Sequence, residues 1–302
     1  MHPAISVIFF TVTSGAGFGF LALIGLGVPM PESGAGAFFA SLIAGGLAVA
    51  GLISSTFHLG HPERAWRAFS QWRSSWLSRE GVCAVITLIL FAFYALNWVF
   101  FDNRIGWLGL TMAVGALATV FTTAMIYTQM KTVPVWNNIL TPICYMLFAL
   151  TCGVLLAGSF GYWEDAVVSL PFFALVSIIA AWGAKWMWWQ SGESLSSRGS
   201  DAGTATGLGS IGKVKLLEKP HSGENYLTKE MVHQVGRKHA DKLRKIALLL
   251  GAGLPIIVCI IMLIAGSNGI LFAVAALAMI AGLFVERWLF FAEAEHAVSL
   301  YY

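Results

Sequence analysis

The residues with the most chemistry per position lie in two short stretches, His58-Leu59-Gly60-His61-Pro62-Glu63-Arg64-Ala65-Trp66-Arg67 and Ser78-Arg79-Glu80-Gly81. Histidine exchanges protons near neutral pH, and a carboxyl such as Glu80 can take up and release one. Arg64, Arg67, Arg73 and Arg79 supply fixed positive charge that can hold a partner or stabilise negative charge on a ligand. Both stretches abut long apolar runs, where histidine and glutamate are costly to bury unpaired; such groups pair, hydrate or work on protons. Snorkelling of the same side chains to a lipid headgroup layer is the alternative reading.

A further polar interruption is Glu286-Arg287, inside the run Phe284-Val285-Glu286-Arg287-Trp288-Leu289. Consecutive helical residues point about 100° apart, so each of the two is expected to find a partner elsewhere. Structural locking accounts for this pair as well as catalysis does.

Other chemistries fit poorly. Haem b requires histidines on facing helices at matching depth. His2, His58, His61, His221, His233, His239 and His296 all stand near the ends of apolar runs or outside them, and only His58 with His296 could approach such an arrangement. The chain is read as haem-free. Cys83, Cys144, Cys152 and Cys259 lie within apolar runs, with no C-x-x-C and no histidine at ligand spacing, and read as small packing residues. Gly207-Leu208-Gly209-Ser210-Ile211-Gly212-Lys213 satisfies G-x-G-x-x-G, but no βαβ unit surrounds it and Val214 stands where a P-loop needs Ser or Thr. It reads as a flexible loop.

The elements that must position the polar residues are membrane spans. With 58% of 302 residues hydrophobic and 11% charged, there are too few charges to build a water-soluble surface. Apolar runs long enough to cross a hydrocarbon core of roughly 30 Å recur along the chain. The first, approximately 4–28, is too long for a signal-peptide core and should remain as a span. Within it, Gly15-x-x-x-Gly19 should let a neighbouring helix approach closely. Seven more spans are expected at approximately 35–58, 80–101, 105–130, 138–159, 165–189, 243–266 and 269–293. Trp182, Trp186, Trp188 and Trp189 gather at the end of the sixth, as an interfacial belt would. The expected fold is an all-α integral membrane bundle of eight transmembrane helices forming a single domain over 1–302.

Eight spans place both termini on one side, with the loops near 59–79, 131–137 and 190–242. Of the 18 Lys and Arg residues only Arg104 falls in a loop on the other side. Positive residues are retained in the cytoplasm, so the basic side, both termini included, should be cytoplasmic. The long cytoplasmic loop between spans six and seven, 191–241, divides into a flexible Gly/Ser-rich tract at 196–212 and a segment at 213–241 that could dock on a partner. A helix from about Thr228 to Lys245 should run into the seventh span.

The His58-Leu59-Gly60 turn with Pro62 and Arg64-Ala65, the Glu80 opening, and Thr132-Val133-Pro134-Val135-Trp136 with Thr141-Pro142 together resemble the membrane anchor family of dimethyl-sulfoxide-reductase type. Glu286-Arg287-Trp288-Leu289-Phe290-Phe291-Ala292-Glu293-Ala294 and Lys219-Pro220-His221-Ser222-Gly223-Glu224-Asn225-Tyr226-Leu227 are similar to the branch that accompanies bacterial sulfite-oxidising complexes. The resemblance covers nearly the whole chain. It implies a haem-free and metal-free subunit of the bacterial inner membrane that exchanges electrons between a quinone, ubiquinone or menaquinone, and an iron–sulfur subunit. That partner is in turn bound to a molybdopterin catalytic subunit.

In such anchors the histidine of the His-Leu-Gly turn and the glutamate of the third span are associated with the quinone site, and they fall on His58 and Glu80. Arg64, Arg67, Arg79 and Trp136 would complete a quinone site or partner-docking rim. Beyond these subunits the expected partner is membrane lipid, and not nucleic acid. Sulfite oxidation is the favoured direction, with quinol oxidation by a dimethyl sulfoxide reductase the alternative. A secondary transporter is the competing class, although transporters gather binding groups near the midplane rather than at one face.

Overall fold

A helix satisfies its own backbone, which is why apolar runs of this length fold as helices where water is absent. The computed structural model describes residues 5–28, 31, 34–57, 61–160, 169–192, 194, 197–215, 217, 218 and 239–300, and among these there is no strand. Eight helices are long and apolar enough to span a membrane. They are α1 (Ile5–Gly25), α2 (Gly34–Thr56), α3 (Trp76–Phe101), α4 (Gly106–Thr128), α5 (Leu140–Phe160), α6 (Ser169–Gln190), a seventh span over Ala240–Ala265, and the eighth at Gly269–Ala292. The short helix Ala202–Thr206 is α7; the seventh span comprises α8 (Ala240–Leu248), a π turn at Leu249–Gly253 and α9 (Leu254–Ala265); the eighth is α10.

The spans form two four-helix rings. In one, α1 packs on α2, α2 on α3, α3 on α4 and α4 on α1; in the other, α5, α6, the seventh span and α10 close in the same way. Contacts of α1 with α5 and α10, and of α4 with α5, join the rings. The core of the α1 span is 83% buried inside the protein and that of α3 only 22%, so α1 is the hub and α3 faces outward. Small residues permit the hub. A side chain at Gly17 would strike the α2 backbone at Ala44 and Ala48, and one at Gly19 the α5 backbone at Ala149. Gly19 thus behaves as its spacing predicts. Gly15 does not: a Cβ there meets nothing.

The π turn has a local cause. Pro255 has no N–H for the carbonyl of Gly251 four residues earlier, and the indole of Trp182 donates to that carbonyl instead, at 2.8 Å. Trp182 and Trp188 are consequently buried, while Trp186 is exposed. Only part of the expected tryptophan belt faces outward, because two of the four indole N–H groups find interior acceptors, Gly251 for Trp182 and Thr141 for Trp188.

The two ends of the bundle are chemically unlike. At the basic end, Ser54 donates to the carbonyl of Ser6, Ala297 N–H to Thr132, and Arg198 to the carbonyls of Pro134 and Asn137. At the other end Arg104 donates to the carbonyls of Ile24 and Val28 and to the hydroxyl of Tyr94, capping the C-terminal turn of α1. Within the Gly/Ser-rich tract, α7 is framed by a capping box between Asp201 and Thr204 and by Gly207 at φ 71°. Those hydrogen bonds hold the Asp201 carboxyl below the ordinary carboxylate range. Most of the segment at 213–241, and of the helix expected from Thr228, lies outside the described residues.

Candidate functional site

The site begins where α3 begins. A 3₁₀ helix at Pro62–Gln71 precedes it, and α3 opens at Trp76, four residues before Glu80 rather than at it. Glu80 therefore sits a full turn inside the helix and faces α4. It is 4% exposed and accepts a hydrogen bond from the Thr123 hydroxyl, which also reaches the carbonyl of Thr119. The Phe69 ring of the 3₁₀ helix lies against Gly81 and covers this region from the basic end.

Four residues beyond Thr123 on α4 stands Tyr127, the centre of an aromatic cluster. Its ring lies 5.4 Å from Trp136, 5.9 Å from Tyr145 and 5.5 Å from each of Phe290 and Phe291. Trp136 stacks on Phe290 and donates to its carbonyl at 2.9 Å. It forms the wall of the cluster, which ties the loop after α4 to the end of α10.

The arginines are disposed differently. Arg64 and Arg67 are exposed on the 3₁₀ helix, Arg64 beside Glu63 and Arg67 over the Trp66 ring at 5.5 Å. Arg79 turns back from Glu80, lies over Trp76 at 4.2 Å and donates to the carbonyls of Trp72 and Arg73. Arg73 over Trp72 continues the series. The result is a surface of alternating guanidinium and indole at the basic end, adjacent to Glu80 along the chain. His58, Leu59 and Gly60 lie outside the described residues.

Across the aromatic cluster lies a buried ionic group. Lys185 of α6 pairs with Glu286 of α10 at 2.6 Å, and Arg287 pairs with the other Glu286 oxygen. Their side chains are 1%, 0% and 4% exposed respectively. Glu286 thus finds the expected partner elsewhere, Lys185, while Arg287 pairs with its own neighbour Glu286. A long guanidinium side chain can fold back along its own helix, so the angle between successive Cα positions does not separate the head groups. Lys185 also sits 3.4 Å from the centre of the Trp188 ring, and Arg287 lies over Tyr145 at 4.2 Å.

Beyond the end of α10, Glu293 accepts a hydrogen bond from Arg244 Nε at 2.9 Å, and Arg244 Nη2 lies 2.8 Å from the same oxygen. Burial nevertheless holds its carboxyl above the ordinary glutamate range, with Arg244 pulling it partly back. Burial likewise pushes the His296 imidazole down.

Lys185, Thr123, Tyr127 and Tyr145 are the residues that reading the chain missed. A lysine amid an otherwise apolar run of 21 residues was a usable signal for Lys185, masked by its position near the Trp-rich end where lysines snorkel. The threonine and tyrosines carry no signal of their own; only the packing of α3, α4 and α5 brings them to Glu80. Among the described residues no group of three or more His, Cys, Asp or Glu could hold a metal ion.

Comparison with known proteins agrees with this architecture. The family model for the DMSO reductase anchor subunit (DmsC) matches residues 1–292. A sulfite dehydrogenase subunit of Allochromatium vinosum is 32% identical over 100% of this chain and 99% of its own. The anaerobic dimethyl sulfoxide reductase chain YnfH of Escherichia coli K12 is 31% identical over 48% of this chain and 50% of its own. No solved structure matches.

Proposed function

The chain belongs to the DMSO reductase anchor subunit family, and we propose that it is the haem-free, quinone-reactive anchor of a molybdopterin/iron–sulfur oxidoreductase. In this reading it passes electrons from an iron–sulfur subunit to ubiquinone or menaquinone during sulfite oxidation. The observation that carries the site is Glu80: a carboxyl removed from water, held among the described residues by the neutral hydroxyl of Thr123, one turn beneath the arginine-rich surface of the basic end.

Reducing a quinone consumes two electrons and two protons. The electrons come from the iron–sulfur partner, while Glu80 and His58 handle the protons. Arg64, beside Glu63, and Arg67, Arg73 and Arg79, over Trp66, Trp72 and Trp76, form the rim on which that partner docks, with the charge to complement an acidic surface. The positive bias puts this rim, both termini and the docked subunits on the cytoplasmic face of the bacterial inner membrane. Sulfite is favoured as the electron source because the full-length likeness is to a sulfite dehydrogenase subunit. The half-length likeness to a dimethyl sulfoxide reductase chain supports quinol oxidation as the second reading.

In the assembled complex, His58→Ala and Glu80→Gln should abolish quinone-linked turnover while artificial-acceptor activity of the soluble subunits persists. Unchanged quinone kinetics in both variants would overturn the site. Sulfite-dependent quinone reduction in membranes, set against dimethyl-sulfoxide-dependent quinol oxidation, decides the direction.

A further inference from the structure

The motif that the Glu80 reading leaves unused is Gly207-Leu208-Gly209-Ser210-Ile211-Gly212-Lys213. In the fold it forms the tip of a small knuckle. The carbonyl of Gly203 in α7 accepts the N–H of Gly209 at 3.1 Å. The two glycines approach so closely that a Cβ on Gly203 would stand 3.0 Å from Gly209 Cα, and one on Gly209 3.2 Å from the Gly203 carbonyl carbon. The N–H of Ile211 then donates to the carbonyl of Leu208 at 3.0 Å, so these two residues stand at the ends of one tight turn. With the capping box of Asp201 and Thr204, these bonds fix the tip before anything meets it.

The tip is apolar and open. Leu208 is 49% exposed and Ile211 84%. Exposed apolar side chains are ordinary on the spans, where lipid covers them, but this turn lies on the connection between α6 and α8, outside every span. An apolar pair carried on a preorganised turn in water marks a contact surface. Lys213 and Lys215 follow directly and are exposed, and no Asp or Glu occurs from Ala202 to Leu217. The complement of such a tip is an apolar depression edged with carboxylates.

The seat of the knuckle points to a protein rather than the bilayer. Arg198 tethers it, donating to the carbonyls of Pro134 and Asn137 at 3.2 and 2.9 Å and to the Asn137 side chain at 3.1 Å. Those acceptors belong to the loop between α4 and α5, where the two rings join, and α5 packs on helices of both. The tether thus holds the knuckle over the joint of the bundle, at the same basic end as Arg64, Arg67, Arg73 and Arg79.

We infer that the knuckle is a docking finger for the iron–sulfur subunit, with Leu208 and Ile211 entering an apolar depression on that partner and Lys213 and Lys215 meeting carboxylates at its edge. The inference rests on the anchor reading above and adds to the arginine rim a second, apolar point of attachment.

The experiment replaces Ile211 by a photoreactive benzoylphenylalanine in the assembled complex, in native membranes, and identifies the crosslinked chain by mass spectrometry. The expected product joins this position to the iron–sulfur subunit. The double variant Leu208→Glu with Ile211→Glu should weaken retention of that subunit on the detergent-purified anchor at least about tenfold, with the anchor's own abundance unchanged. Gly209→Val keeps both tip residues but crowds Gly203, and should lower retention in the same direction. Crosslinks confined to the molybdopterin subunit, to lipid or to residues 219–238 of this chain, or full retention in the double variant, would overturn the inference and leave the quinone reading standing. A wild-type anchor that purifies without any iron–sulfur subunit would overturn that reading, and the inference with it.

Discussion

Glu80 and Glu286 are both buried, 4% and 0% exposed, one in each ring of helices. They differ in company. Glu286 is clamped between an ammonium and a guanidinium, whereas Glu80 has the hydroxyl of Thr123. A carboxylate between two cations is committed to its charge and fixes the helices that carry it, here α6 and α10. A carboxyl whose partner among the described residues is neutral joins α3 to α4 loosely and can gain or lose a proton without breaking a charge pair there. The same residue type thus serves as a clasp in one ring of helices and as a candidate proton-handling group in the other.

That contrast can be broken from either side. Glu286→Gln leaves Lys185 and Arg287 buried without a counter-charge and should cost about 3–5 kcal/mol, enough to deplete the chain from membranes in a quantitative immunoblot. Glu80→Gln keeps the shape and should leave abundance unchanged, but abolish quinone-linked turnover, a loss of at least about 10²-fold. If both variants fail to accumulate, the distinction between clasp and proton handler is lost. Thr123→Val removes the one hydrogen-bond partner that Glu80 has among the described residues and should lower thermal stability by about 1 kcal/mol, with a smaller loss of turnover than Glu80→Gln.

The smallest effect is expected at Glu293, the partly buried carboxylate paired with Arg244. Its folded carboxyl holds a proton to higher pH than the unfolded one, so its contribution favours folding in acid and is lost as pH rises through the raised value. Glu293→Gln should flatten that slope in thermal unfolding, by no more than about 1 kcal/mol at this partly solvated site.

Eight spans were legible because run length is enough to identify a membrane helix, and their observed ends lie within a few residues of the expected ones. Which helices touch was not legible. Residues that face lipid and residues that face another helix are both apolar, so the division into two rings left little trace in the pattern. Glu80 was visible because a carboxylate in an apolar run is conspicuous. Gly15 and Gly19 look identical in the chain; only the position of α5 makes one a contact and the other an opening. Trp136 stands out through the family resemblance alone; in the fold its indole N–H donates to the Phe290 carbonyl and its ring is buried.

The hub position of α1 has a consequence for biosynthesis. Of the eight spans α1 is made before all of its partners: α2 follows directly, but α5 and α10 are made long after it. In the interval it must wait in lipid with Thr11, Thr13 and Ser14 along its length. Each of these hydroxyls donates to a carbonyl of its own helix, at Val7, Ile8, Phe9 and Phe10. The helix therefore carries no unmet hydroxyl donor at these positions while it waits, and the small faces of Gly17 and Gly19 stay open for partners not yet translated.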